Sequence, residues 1–533
     1  MSSDIIRTMP EPLHPSPVKV RVLAAAMTVL AAIVYCSRLD VAPVYLTKDE
    51  ASYGIQAHAI ATSGRDINGR RLPLFFQESG FSIGRDPIYI YASAAVLKFV
   101  PLSEGALRIP TTLAAAISVG LVVLIAYELY GSISVAAVAG LLLACTPVFF
   151  IRSRAALSVI LPVPFQLIWL LLMVRYGRSG RLRQLLGATA ALGVGMYSYL
   201  SMLFFVPFHM LFTVAEALRQ RRWRHAGLAI ATLIILLVPL AWWQATHPGR
   251  VGDIASSYRI YPPELTPLQG VKDVLSWSSL SRRSDIYWNA FNPSKLFFAG
   301  ESGPVDSTRS AGLLPVVYLV LLPLGLYHYL TKAVTLPRLA IVALIIIGPV
   351  PGVLVGEDTI GRYLVAAPAT ALLAAGALQS LWRSRYWLLK AAAVGAVALS
   401  IYLFGGFYRH YMTDWRIDSA PYFGGNIKGA METVLTSTPA PAGLVLLSER
   451  IPYVNTYWEF YRRKHNRADL VGRDRGLRAT DSEWQTAPPG SFAIVRARED
   501  PSREALQAAG WVVVADIYEF YGGPPTFVVL ARS

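Results

Sequence analysis

Apolar runs long enough to cross a bilayer alternate with short polar stretches along most of this chain, and the pattern changes only after about residue 409. A spanning helix needs roughly 20 mostly apolar residues, fewer where its ends are buried in protein. About eleven runs qualify: near 20–37, from Arg108-Ile109-Pro110 to Tyr130-Gly131, and about 133–150, 158–174, 184–197, 200–217, 226–244, 311–330, 339–355, 363–381 and 387–407. Between the first two spans, residues 49–62 have an amphipathic pattern and Asp86-Pro87 opens the short aromatic run Ile88 to Val100. Both are predicted as juxtamembrane helices lying in the interface.

The loops dense in Arg or Lys set the orientation. Arg175, Arg178, Arg181 and Arg183, then Arg219, Arg221, Arg222 and Arg224, then Lys332 and Arg338, then Arg383, Arg385 and Lys390 all fall on one face, which the positive-inside rule makes cytoplasmic. Residues 1–19 then read as a cytoplasmic tail, and an odd number of spans places the C-terminus outside. The resulting organisation is a transmembrane domain over 20–408, with external loops 38–105 and 245–310, and an external domain over 409–533. In that last segment the runs Gly443 to Leu447, Phe492 to Val495 and Trp511 to Val514 are spaced by polar helical stretches such as 502–509, which predicts a small α/β unit. The fold class is thus a polytopic α-helical membrane protein with a small extracytoplasmic α/β domain.

Composition agrees with this picture: the 533 residues are 54% apolar and only 15% charged, unlike a soluble domain of this length. The net charge of +16 follows from the loop arginines and is not gathered on one soluble face, so nucleic acid is not an expected partner. Cys36 and Cys145 lie in apolar runs and read as small buried hydrophobes. No glycine-rich phosphate loop, zinc-type spacing or internal repeat is present, which argues against a nucleotide-driven pump and against a repeat-built transporter.

The chemistry-bearing stretch is Lys48-Asp49-Glu50, two carboxylates close behind a spanning helix, where charge is costly unless solvated, paired or functional. With the topology above, Arg85 and Asp86, Arg152 and Arg154, and Glu357, Asp358 and Arg362 converge on the same external side. A carboxylate there can take a proton from an acceptor hydroxyl, and guanidinium groups can hold a departing phosphate. Each has a plainer reading as well: an acidic first helical turn for Asp49 and Glu50, headgroup contacts for Arg152 and Arg154, solvated loop residues for Glu357 and Asp358. Tyr53 is placed on the carboxylate face, at i+4 from Asp49 and i+3 from Glu50, and His58 lies two turns on, within reach of a metal or of nothing but its helix. Tyr258, Tyr261, Trp277, Tyr287, Trp288 and Phe291 suit sugar stacking or an interfacial aromatic belt.

In this order the acidic pair after the first span, Arg85-Asp86-Pro87-Ile88-Tyr89-Ile90-Tyr91, Arg108-Ile109-Pro110, and the later Gly348-Pro349-Val350-Pro351 through Arg362-Tyr363 and Pro368 resemble the GT-C membrane glycosyltransferases. The nearest branch is the bacterial one that includes protein O-mannosyltransferases and lipid A aminoarabinose transferases. The resemblance implies a polyprenyl-phosphate sugar donor, an external lipid, glycan or protein acceptor, and inversion at the anomeric carbon. It makes Asp49 the general base, with Glu50 as partner orienting the acceptor or a metal. Donor-phosphate contacts fall to Arg85, Arg362 and Arg154, with Tyr53, His58, Asp86, Asp358 and Glu357 as further substrate or metal contacts. The family's usual Lys-Pro-Pro is Arg-Asp-Pro here, which puts an extra carboxylate beside the phosphate contact. The residues name no cofactor, and a divalent metal is compatible with them. Two other functions fit the topology without this resemblance: a transporter of lipid-linked sugars, and a non-catalytic envelope assembly protein.

Overall fold

The structure, a computed structural model, describes residues 17–78, 81–247, 262, 264–331, 335–356, 361, 364–438, 440–478, 480 and 483–532; of Pro17, Gln77, Glu78, 81–85, Pro267 and Glu483 it describes the backbone alone. Helix α1 (Pro17–Cys36) leads through an irregular segment to α2 (Lys48–Ser63), the hairpin β1–β2 (Phe76–Glu78 and Phe81–Arg85) and α3 (Pro87–Leu97). The membrane bundle continues with α4 (Glu104–Tyr130), α5 (Ile133–Ala144), α6 (Pro147–Ser153), α7 (Pro162–Ser179), α8 (Leu182–Gly195), α9 (Met202–Arg219) and α10 (Trp223–Thr246). After α11 (Pro267–Val274) and α12 (Trp277–Asn289) come α13 (Tyr318–Leu330), α14 (Leu336–Ile347), α15 (Val350–Val355), α16 (Ala366–Trp382) and α17 (Trp387–Met412). Each expected span contains helix, though that near 311–330 is helical only from Tyr318, and among the described residues seven helices are long and apolar enough to cross a membrane, eight with the bent pair α5–α6. The helices α8, α13 and α16 are shorter, at 14, 13 and 17 residues.

The third expected span, 133–150, is broken. Pro147 has no N–H to continue the ladder and restricts Thr146 before it, so α5 ends at Ala144 and α6 leaves at 62°. That bend carries Arg152 and Arg154 inward, beneath the segment that follows α1.

The C-terminal segment contains α18 (Asp414–Ser419), α19 (Ile427–Leu435), α20 (Val454–Lys464), α21 (Pro501–Ala508) and one five-stranded sheet. The sheet comprises β3 (Val445–Ser448), β4 (Asp474–Leu477), β5 (Phe492–Arg496), β6 (Val512–Ile517) and β7 (Phe527–Ala531) in the order β4-β3-β5-β7-β6. Strands β4, β3 and β5 run parallel, and β7 is antiparallel to both β5 and β6. The predicted runs became β3, β5 and β6; the polar β4 has no apolar run to announce it, and the apolar β7 was not among the runs read as strands.

Helix α2, read from the sequence as a juxtamembrane helix, is enclosed by protein: Glu50 through Ala57, Ala59 and Ile60 are buried between α3 and α4 on one side and α20 on the other. Small residues allow this. A Cβ at Gly54 would lie 2.6 Å from Leu107 Cδ1 and 2.8 Å from Phe460 Cε2, so the helix backbone touches the membrane bundle and the C-terminal domain at one point. Gly54→Val should therefore overpack the contact, costing about 1–3 kcal/mol, and is expected to lower the thermal midpoint of the detergent-purified protein.

Candidate functional site

The segment from Ser37 to Leu46 has little regular structure, and its carbonyls, with that of Tyr35 in the last turn of α1, are met by two fully buried guanidiniums. Arg108 of α4 donates from Nη1 to Leu39 O (2.7 Å) and Pro43 O (2.8 Å), and from Nη2 to Tyr45 O (2.8 Å). Arg154, just past α6, donates from Nη1 to Tyr35 O (2.6 Å) and Ser37 O (2.8 Å), from Nη2 to Arg38 O (3.0 Å) and Ala42 O (2.6 Å), and from Nε to Ala42 O (3.2 Å). Burying a cation costs several kcal/mol unless its donors are met, and here a loop's carbonyls meet them. Arg154, expected to hold donor phosphate, has its guanidinium occupied by this loop.

The loop ends at Thr47, which caps α2 in a reciprocal capping box: Glu50 N donates to Thr47 Oγ1 (3.3 Å), while Glu50 Oε2 accepts from Thr47 N (2.7 Å) and Oγ1 (3.0 Å). The other oxygen, Glu50 Oε1, accepts from Ala156 N at 2.7 Å and lies 3.6 Å from Arg108 Nε. Glu50 is 1% exposed. Successive helical residues point about 100° apart, so the neighbouring carboxylate has a different fate: the Asp49 side chain is 49% exposed, with Lys48 Nζ at 3.8 Å. Lys48 is itself placed over the Tyr453 ring of the C-terminal domain, at 5.0 Å.

A second polar knot lies one turn along. Ser158 Oγ donates to Asp86 Oδ2 (2.6 Å), Tyr53 Oη donates to the same oxygen (3.1 Å), and the two hydroxyls are 3.2 Å apart. The Tyr53 ring meets Tyr89 edge-on at 4.9 Å. This knot joins α2, the start of α3 and the turn after α6, so the carboxylate of Asp86, the extra acid of the Arg-Asp-Pro sequence, is met by two hydroxyl donors. Ser158 carried no signal in the sequence beyond its place at the start of an apolar run. Arg108 was legible as part of a motif, but its role required the loop it closes.

Other expected contacts are dispersed. His58 is half-buried against α20, and burial, then Arg463, push its pKa below the ordinary value, with Glu459 opposing. Arg152 forms an ion pair with Asp306 at 2.7 Å, and a Cβ at Gly361 would lie 3.3 Å from its guanidinium. Tyr287, Trp288 and Phe291 cluster on α12 and the turn after it, and Trp277 and Trp288 are exposed. The side chain of Arg85, and Glu357, Asp358, Arg362, Tyr258 and Tyr261, lie outside the described residues. Among the described residues no group of three His, Cys, Asp or Glu side chains is placed to hold a metal ion.

Two outcomes follow. Glu50→Gln leaves Arg108 buried without its carboxylate, and breaking such a pair costs about 3–5 kcal/mol; a marked fall in thermal midpoint is expected, whereas Asp49→Asn should leave the midpoint near that of the native chain. His58, with its pKa lowered on folding, contributes stability that is present above its ordinary value near 6.5 and lost as pH falls below it. The midpoint should drop between pH 7.5 and 5.5, and less so in His58→Gln.

The chain was compared with known proteins. Residues 85–243 match the family model described as dolichyl-phosphate-mannose-protein mannosyltransferase. No curated protein matches at a significant level. Among solved structures, ArnT from Cupriavidus metallidurans bound to undecaprenyl phosphate is similar, with a TM-score of 0.57 at 13% identity over 97% of this chain and 99% of that one. Its apo state gives 0.57 at 14% identity. The archaeal oligosaccharyltransferase AglB from Archaeoglobus fulgidus, in complex with an inhibitory peptide and a dolichol-phosphate, gives 0.50 at 14% identity, over 97% of this chain and 74% of that one. Residues 85–243 thus carry the sequence pattern of that mannosyltransferase family, and the chain as a whole has the fold of the GT-C membrane glycosyltransferases.

Proposed function

We propose that this chain transfers a sugar from a polyprenyl-phosphate donor to a lipid, glycan or protein acceptor on the outer face of a bacterial inner membrane, with the N-terminus cytoplasmic and the C-terminal domain outside. The observation that carries this reading is the unequal pair at the start of α2: Glu50 is buried and fully engaged, while Asp49 beside it is half-exposed on the side of the C-terminal domain. The similarity to ArnT, crystallised with undecaprenyl phosphate, and to AglB, with a dolichol-phosphate and a peptide, supports a lipid-phosphate donor and an acceptor brought to the same face.

In this mechanism Asp49 takes the proton of the acceptor hydroxyl, and the oxygen attacks the anomeric carbon from the face opposite the lipid phosphate. The bond between that carbon and the phosphate oxygen breaks, the configuration inverts, and polyprenyl phosphate departs with its charge held by guanidinium groups. Arg85 and Arg362 are the proposed phosphate contacts. Glu50 acts as a positioning residue: with both its oxygens already accepting hydrogen bonds, its work is to hold the first turn of α2 in place. Asp86, tied to Tyr53 and Ser158, positions the start of α3, which immediately follows Arg85.

General-base catalysis contributes about 10²–10⁴-fold, so Asp49→Asn should reduce transfer from a polyprenyl-phosphate sugar by at least about 100-fold in purified protein while the thermal midpoint holds. Mass spectrometry of membrane lipids from cells carrying this variant should show the lipid-linked sugar accumulating. Transfer at the native rate would remove Asp49 from its role.

A further inference from the structure

A cavity of about 890 Å³ opens on the side of the bundle at the end nearer the C-terminal domain, between the α5–α6 break, the segment from Phe297 to Val316, and the last turns of α17. Its size falls within the range of about 300–1,000 Å³ typical of small-molecule sites. The walls are mostly apolar, with Phe297, Leu314 and Pro315 facing Leu403, Phe404 and Phe407. None of its lining residues belongs to α2, α3 or α20, which surround Asp49.

Two features indicate an occupant from outside the chain. Gly405 and Gly406 are consecutive inside α17, where glycine is unfavourable relative to alanine, yet no protein atom lies within 4 Å of a Cβ built on either. The room they leave is not used by any described protein neighbour. At the end of the cavity towards Met412, Arg409 is exposed and has no acidic partner among the described residues. His410 beside it has Nδ1 3.1 Å from Asp414 Oδ2 and a buried Nε2 without a partner. An apolar trough with a cationic end near the emergence of a spanning helix has the complementarity of an anionic amphiphile.

We propose that this cavity is a binding site for an anionic phospholipid of the surrounding leaflet, its acyl chains lying along Phe404, Gly405 and Gly406 and its phosphate at Arg409 and His410. The site also touches the machinery of the loop. Phe404 and Phe407 pack on Phe150, whose ring carries the Arg154 guanidinium at 5.2 Å. A bound lipid would therefore brace the residue that organises the segment leading to Asp49.

The test uses the full-length protein in mild detergent, examined by native mass spectrometry with added phosphatidylglycerol or phosphatidylcholine. One phosphatidylglycerol per chain should be retained under activation that strips phosphatidylcholine. Gly406→Leu places a side chain in the trough, starting from a Cβ with open space around it, and should cut retention by about tenfold at an unchanged thermal midpoint. Arg409→Gln should abolish the preference for phosphatidylglycerol. Equal retention of both lipids by the native chain, undiminished retention in Gly406→Leu, or an unchanged preference in Arg409→Gln would overturn the proposal. So would retention of polyprenyl phosphate in preference to phosphatidylglycerol. The readout requires no turnover, so it stands apart from the transferase reading.

Discussion

Two buried arginines and one buried glutamate hold the segment between α1 and α2 together. Without Arg108 and Arg154 the carbonyls between Tyr35 and Tyr45 would face apolar protein unpaired, each at a cost comparable to a lost hydrogen bond. Without the loop, two guanidiniums would be buried bare. Glu50 closes the arrangement by meeting Arg108, Ala156 N and the cap of its own helix. The loop, the broken third span and α2 therefore depend on one another. The half-exposed Asp49 owes its position to these buried groups.

The C-terminal domain belongs to the same structure. Besides Gly54 against Phe460, Tyr45 Oη donates to Glu519 Oε2 at 2.6 Å and Tyr457 Oη to Leu46 O at 3.3 Å, so the loop is held from above as well as below. Glu104, at the head of α4, is met by Lys464 at 2.9 Å and Lys428 at 3.1 Å, and Lys464 also reaches Glu432 at 2.9 Å. Charges that would be costly at the end of a spanning helix are thereby neutralised by the domain resting on it. The domain acts as the outer wall of α2, which accounts for a helix of such modest apolarity being buried on nearly all sides.

Two adjacent carboxylates illustrate the limits of reading residues in a line. Lys48-Asp49-Glu50 was visible as a place where charge needs a reason, and its neighbourhood with Tyr53 followed from helical spacing. Which carboxylate is sequestered depends on where Arg108 and Ala156 arrive, 58 and 106 residues away along the chain. Arg154 shows the same limit from the other side: in sequence it is an external arginine suited to phosphate, and only the path of the loop around it reveals a group with its donors already taken.

The chain's own pattern determined the order of the apolar segments and the α/β character of the last segment, because helix length and strand periodicity act on contiguous residues. It also marked Lys48-Asp49-Glu50 as a place where charge needs a partner, since charges next to spans are rare. Tertiary structure decided that α2 is enclosed by protein, that α5 and α6 part at Pro147, and that Glu50 is buried while Asp49 is half-exposed. Those outcomes rest on hydrogen bonds and close approaches between segments far apart in sequence, whose partners no local pattern can specify.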